Sequence, residues 1–201
     1  MGSTEVIVVG VDGSTESIAA VTWASHRSAR TGARIHCVCT YALASYSAAA
    51  LDGGYAVLDD EALQKGAQQV VDEAVAHATK HGAKNAGGSI QPGDPAGVLI
   101  DFSKEADLVV VGSRGSGGFA DRLLGTVSSA LPAHAKCPVV VVPRHTSGKK
   151  FTPVERIVVG IDGTEAPSSA LRRSVEEAQT WGARLTAISA VPIAVGPAVM
   201  A

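Results

Sequence analysis

Residues 5–13 read EVIVVGVDG, and residues 155–163 read ERIVVGIDG. Further along, GARIHCVC from Gly32 matches GARLTAIS from Gly182, at the same offset of 150 residues and without a gap. This period lies far beyond the 20–50 residues of a solenoid, so duplication of a whole domain explains it. The second copy holds 47 residues up to Ala201, and residues 43–142 have no counterpart in it. The 201 residues are therefore expected to divide in three. Residues 1–146 form a complete domain, 147–154 a linker around Ser147, Gly148, Lys149 and Lys150, and 155–201 an incomplete β-α-β unit. A domain of the first size buries a core without disulfide or metal staples.

The pattern within the first copy alternates strands and helices. Residues 6–11 are a continuous, mostly β-branched run, the mark of a strand buried on both faces. Asp12-Gly13-Ser14 turns the chain, Ser14 is a helix N-cap, and the helix runs to about Thr31 and closes at Gly32. Residues 34–41 form the second strand, and residues 42–57, small and polar, read as loop. Residues 58–81 carry Leu63, Ala67, Val70, Val71, Ala74 and Ala78 on one helical stripe. Residues 89–91 belong to a weaker third strand. Asp94-Pro95 opens a helix to about Glu105 as N-cap and first-turn proline. Residues 108–111 and 139–142 are further apolar strands. Between them the chain is glycine-rich from Gly112, then helical, with Pro132 near the helix end. Alternating apolar strands and helices imply an α/β fold, a parallel sheet with helices on both faces.

Composition narrows the partners. Hydrophobic residues at 46% against 18% charged exclude a disordered chain. With aromatics at 4%, the core is aliphatic and stacking platforms for single-stranded nucleic acid are absent. A net charge of −2 gives no electrostatic case for nucleic acid or an anionic membrane. Cys37 and Cys39 share one face of an apolar strand and, with Cys137, make an odd count, so they read as small buried hydrophobes in a reducing compartment. The first ten residues lack a signal-peptide pattern, and no apolar run approaches the roughly 20 residues that span a bilayer. A cytoplasmic location is the expectation.

Ligands of open parallel sheets bind outside the carboxyl ends of the strands, at the switch point. Two loops stand at such ends: Gly10-Val11-Asp12-Gly13-Ser14, and Gly112-Ser113-Arg114-Gly115 with Gly125-Thr126-Val127-Ser128 nine residues on. Glycines let backbone N–H groups approach an anion, and a helix opened by Gly125-Thr126 presents free N–H groups and a partial positive charge. Thr126 and Ser128 offer hydroxyls, and Arg114 a full charge. A flexible surface loop is the competing account of these glycines. Asp12 reads either as a ligand for a sugar or base amine or as a helix-capping turn residue, and Asp162 repeats it in a copy without the glycine loop.

The spacing G-x2-G-x9-G-[ST], met by Gly112, Gly115, Gly125 and Thr126, resembles the ATP-binding signature of the universal stress protein family. The VGVDGS opening, the ADLVVVGSRG segment and the CPVVVVP strand resemble it in the same order. The resemblance covers residues 5–143 and restarts at 155 for the opening β-α-β. It implies a flavodoxin-like, Rossmann-like three-layer sandwich with a five-stranded parallel sheet of order 3-2-1-4-5. It also implies ATP, with or without Mg2+, as the bound cofactor. Asp12 then meets the adenine end, and Thr40 lines the base pocket. Gly112, Arg114 and Gly115 border the ribose and phosphates, and Gly125, Thr126, Val127 and Ser128 hold the phosphates. Gly10, Val11 and Val111 complete the nucleotide-binding set at the strand ends. The second copy keeps Asp162 without the signature, so it makes no complete site from its own residues.

Other chemistries fail on the residues. No GxxxxGK[ST], GxGxxG or GxSxG is present, and a response regulator's paired acids and lysine are missing. His77 and His81 have metal-ligand spacing without an evident third ligand, and a solvated helix face explains them. A non-enzymatic ATP-binding regulator of the stress response is the reading carried forward. The alternatives are a slow ATPase, with Asp121 as its one candidate base, or a family member that has lost nucleotide binding. The broken repeat leaves residues 139–142 without a partner strand, so a homodimer through that strand is expected.

Overall fold

In the computed structural model, residues 4–42, 60–115, 124–144, 152–161 and 169–189 are described. Two compact units divide the chain, Met1–Phe151 and Thr152–Ala201.

The first strand, β1 (Val6–Gly10), keeps its central Ile7, Val8 and Val9 buried, as a β-branched run covered on both faces requires. Helix α1 (Thr15–Thr31) starts where Ser14 accepts the Ser17 N–H and stops at Gly32 with φ 77°, a left-handed cap that suits glycine. Next come β2 (Arg34–Tyr41), α2 (Asp60–Lys80), β3 (Ala86–Pro92), α3 (Pro95–Phe102), β4 (Leu108–Gly112), α4 (Thr126–His134) and β5 (Val139–Val142). The five strands are parallel in the order β3-β2-β1-β4-β5, as the resemblance implied.

One sheet face turns Ile7, Ile35, Cys37 and Val110 toward α1 and α2, where Ala20, Val21, Ala24, Val71 and Ala74 meet them. On the other face Val8, Val38, Val109 and Val111 pack with Leu99 of α3 and Leu131 of α4. Cys37 and Cys39 are buried free thiols, and burial pushes the Cys37 thiol up to about 12, so it stays protonated and inert. Arg27 of α1 is buried and pairs with Glu5 at 2.8 Å, tying the end of α1 to the start of β1.

Two boundaries depart from the sequence reading by three residues. The third strand begins at Ala86, not near Ser89. Gly87 and Gly88 hide it, because glycine carries little strand signal. The helix α3 stops at Phe102 and gives way to turns over 103–105. All but the first residue of the predicted loop at 42–57, the start of the second helix at Leu58, Asp121, Asp162 and most of the linker lie outside the described residues.

The second unit repeats the opening of the first: β6 (Arg156–Ile161), α5 (Ser169–Trp181) and β7 (Arg184–Ser189), the strands paired in parallel. Val159 and Trp181 are its buried apolar residues among those described.

Gly88 has a packing reason that Gly87 lacks. A Cβ on Gly88 would lie 2.6 Å from the Cys37 carbonyl oxygen and 2.5 Å from a Val71 methyl, whereas a Cβ on Gly87 meets nothing within 4 Å. Gly88→Ala should therefore destabilise the protein by about 1–3 kcal/mol, the usual range for overpacking. Gly87→Ala should change it by no more than about 0.5 kcal/mol. Urea unfolding midpoints of the two variants test the contrast.

Candidate functional site

A cavity of about 410 Å³ opens at the carboxyl ends of β1 and β4. All twelve residues nominated from sequence border it. Gly10, Val11 and Asp12 come from the end of β1, and Thr40 from the end of β2. Val111, Gly112, Arg114 and Gly115 come from β4 and its loop, and Gly125, Thr126, Val127 and Ser128 from the start of α4. Sequence reasoning missed Ser17, Val38, Pro95, Leu99 and Leu124. Val38 was findable, since it stands two residues before Thr40 on one strand and shares its face. Leu99 and Pro95 arrive from α3, a proximity that only the tertiary fold creates.

The lining is apolar at Val38, Pro95, Leu99 and Val111. The same lining includes a helix N-terminus. Gly125 is the N-cap of α4, with extended backbone and no side-chain cap bond. The first backbone bond of the helix runs from the Ser129 N–H to the Gly125 carbonyl. The N–H groups of Thr126, Val127 and Ser128 thus lack intrahelical partners and carry the positive end of the helix dipole.

The glycines differ in what they do. A Cβ on Gly112 would lie 2.7 Å from the Glu16 backbone, so the close approach of α1 dictates this residue. A Cβ on Gly115 would strike the Asp12 carboxylate. A Cβ on Gly125 would meet only ordinary contacts, the nearest being Arg114 Cα at 3.5 Å. The fold tolerates a side chain at Gly125, so the open space there belongs to the cavity.

The hydroxyls divide similarly. Ser128 is 2% exposed, and its Oγ donates to the Ser113 carbonyl at 2.8 Å, alongside the Gly125 N–H, also at 2.8 Å. Its hydroxyl clips α4 to the β4 loop; what it offers the cavity is its backbone N–H. Asp12 Oδ1 accepts from the Ser14 N–H at 3.0 Å and from the Ser14 hydroxyl at 2.6 Å, the turn-capping role. Its other oxygen lies against Gly115 on the cavity side. Capping and lining the site are thus both roles of Asp12. Arg114 is half-buried at the rim, beside Gly125.

The model of the universal stress protein family matches residues 4–143. The chain belongs to the universal stress protein family. A universal stress protein of Mycobacterium tuberculosis is 33% identical over 197 residues, covering 92% of this chain and 63% of the relative. The chain thus spans somewhat under two thirds of that relative's length. A solved universal stress protein of Lactobacillus plantarum is 26% identical with a TM-score of 0.60, over 71% of this chain and 99% of its own. Another, solved in complex with cAMP, is 27% identical with a TM-score of 0.55, over 72% of this chain and all of its own. A universal stress protein of Archaeoglobus fulgidus shares the fold over 95% of this chain and 69% of its own, with a TM-score of 0.73 at 19% identity.

Among the described residues no group of three or more His, Cys, Asp or Glu side chains could hold a metal ion. Nor do His77 and His81 form a solvated helix face. Their rings stack at 4.0 Å, and His77 Nε2 bonds the Thr22 hydroxyl of α1 at 2.8 Å. His81 Nδ1 donates to the His77 carbonyl at 2.8 Å, and His26 of α1 lies 6.5 Å from His81. The two histidines join α1 to α2, and a pattern confined to one helix could not show the partner helix.

Burial pushes the His77 imidazole below its ordinary value of 6.5, with His81 and Lys80 adding to the effect. His26 is lowered by burial, Arg30 and His81, and His36 by burial and Arg34. A lowered folded value means the unfolded chain binds protons first as the pH drops. Stability should therefore be full above about pH 7 and decline as the pH falls through 6.5 toward the folded values. The urea midpoint at pH 5.5 should lie below that at pH 7.5. His77→Gln, which keeps a polar end toward Thr22, should flatten this slope.

Proposed function

We propose that this universal stress protein is an ATP-binding, non-enzymatic regulator whose bound nucleotide biases its choice of partner. The observation that carries the reading is the pairing, in one cavity, of an apolar slot with an uncapped helix N-terminus. The slot fits an adenine ring, and the N–H groups of Thr126, Val127 and Ser128 fit phosphate oxygens. Arg114 at the rim adds charge for the outer phosphates, and Asp12 stands back from them toward the sugar. Glycine at 125 keeps the anion seat open. The cAMP complex of a 27% identical relative supports an adenine nucleotide as the ligand class. Mg2+, where present, would be held largely by the phosphates themselves.

The non-enzymatic half of the reading rests on the carboxylates. Among the described residues Asp12 is the one acid bordering the cavity, and it is already engaged with Ser14. The slow-ATPase alternative rests on Asp121, outside the described residues. A homodimer through β5 belongs to the same proposal, since β5 ends the strand order with one edge beyond the sheet.

Calorimetry with ATP should show saturable binding to the wild type at micromolar to low millimolar concentration. Gly125→Val should unfold at a similar urea concentration yet lose ATP binding, because its side chain fills the anion seat. A wild type that ignores millimolar ATP, or a Gly125→Val that binds as well, overturns the site.

Phosphate release at saturating ATP should stay far below the enzyme median of roughly 10 per second. Brisk turnover that Asp121→Asn abolishes would move the protein into the ATPase class.

A further inference from the structure

The second unit presents a bare sheet face among the described residues. Arg156, Val158 and Gly160 of β6 stand in register with Arg184, Thr186 and Ile188 of β7. Alternate residues of a strand share a face, and residues in register project to the same side. These six therefore make one face, and all six are exposed, Val158 by 55% and Ile188 by 53%. Val159 projects to the other face and is buried.

The first unit shows what such a face receives. Val8 and Val38, the counterparts of Val158 and Ile188, pack with Leu99 of α3. A Cβ on Gly10, the counterpart of Gly160, would lie 2.7 Å from a Leu99 methyl, so Gly10 is the seat of that leucine. The α3 segment crosses the face from the carboxyl to the amino ends of the strands. Pro95 borders the cavity at the carboxyl ends, Phe102 stacks on the His36 ring at 5.7 Å, and Asp107 accepts the Val6 N–H at 2.8 Å at the start of β1.

The second unit keeps this seat and changes its rim. Gly160 retains the glycine, although a Cβ there would meet nothing within 4 Å. At the amino end Arg156 replaces Val6, and its register partner Arg184 repeats Arg34. Two guanidinium groups on strands about 4.8 Å apart repel one another and favour a carboxylate between them. From Gly160 back to Arg156 is four strand residues, roughly 13 Å, the rise of eight or nine helical residues.

We propose that this face of β6 and β7 docks an acidic amphipathic helix of a partner protein. The helix lies antiparallel to the strands, with a leucine over Gly160 and, about two turns later, carboxylates at Arg156 and Arg184. Its aliphatic stripe covers Val158 and Ile188, as α3 covers Val8 and Val38 in the first unit. A second copy of this chain does not supply the helix, because its own α3 is engaged, with Leu99 only 3% exposed.

The test uses the full chain and a fluorescein-labelled peptide of residues 94–107, DPAGVLIDFSKEAD, which carries Leu99 and, toward its end, Asp101, Glu105 and Asp107. Fluorescence anisotropy should show saturable binding at about 100 micromolar, because so short a helix must order as it binds. Gly160→Val should weaken binding at least tenfold and leave the urea midpoint unchanged, since the free chain has room for the side chain. The peptide carrying Leu99→Ala should lose binding to the same extent, with the protein untouched. Arg156→Glu combined with Arg184→Glu should weaken the original peptide and regain affinity for one carrying Glu105→Lys and Asp107→Lys. Absence of binding at millimolar peptide, or equal binding by Gly160→Val, overturns the proposal. A full-chain mass by light scattering that Val158→Asp halves also overturns it, by giving the face to a second copy.

Discussion

The pairing of β1 with β4 is the constraint on which the site depends. Ile7, Val8 and Val9 lie beside Leu108, Val109 and Val110 in register, although about a hundred residues separate them in the chain. At this pair the strand order reverses: β2 and β3 extend one way, and β4 and β5 the other. The loops leaving the two strands therefore diverge and leave a crevice between them. The six paired residues are all buried, so the pairing is held by aliphatic packing on both faces. Gly112 lets α1 sit against the end of β4, since any side chain there would meet the Glu16 backbone. Gly112 thus shapes the crevice from behind, by letting two elements of the scaffold close up.

The order of elements was legible because β1, β4 and β5 are valine-rich aliphatic runs bounded by turn residues. Helix α1 was legible down to its caps, Ser14 and Gly32. The third strand was legible only at its end, because Gly88 answers to the tight seat of Val71 on the sheet and carries no strand signature of its own. For the site, positions were legible and reasons less so. Gly112, Gly115 and Gly125 all border the cavity, yet α1 requires the first, Asp12 crowds the second, and the third is spacious. Ser128 was read as a hydroxyl donor to a ligand, but its hydroxyl faces inward to Ser113. Spacing along a chain gives proximity; it does not say which way an oxygen points. Pro95 and Leu99 were invisible as site residues because α3 meets the cavity only after the sheet has formed.

The repeat carries a physical comparison within one chain. Val8 and Val38 are each 2% exposed, whereas their repeat mates Val158 and Ile188 are 55% and 53% exposed. The strands match in sequence, in parallel pairing and in the helix between them. What differs is the layer contributed by α3 and α4, which has no counterpart among the described residues of the second unit. Burial of these valines is therefore a property of the layer above them. The same layer supplies Leu99 and the start of α4, so the slot and the anion seat belong to the first unit alone among the described residues.

Two helices begin at the crevice, and their caps give the cavity its polarity. At α1 the Ser14 hydroxyl takes the Ser17 N–H, Ser14 is itself held by Asp12, and a carboxylate stands in front. That terminus is satisfied, and it turns negative charge away. At α4 the cap is glycine, which offers no side-chain acceptor, and the first-turn N–H groups open toward the cavity. An elongated ligand with one anionic end has a single favourable orientation between them. In the proposed nucleotide reading its charge would lie toward Thr126 and Val127, its uncharged polar groups would pass Asp12, and its apolar end would reach Val38 and Thr40. On the proposed nucleotide site, the direction of the ligand would thus be set by the residue types at two N-caps together with the apolar lining of Val38 and Leu99.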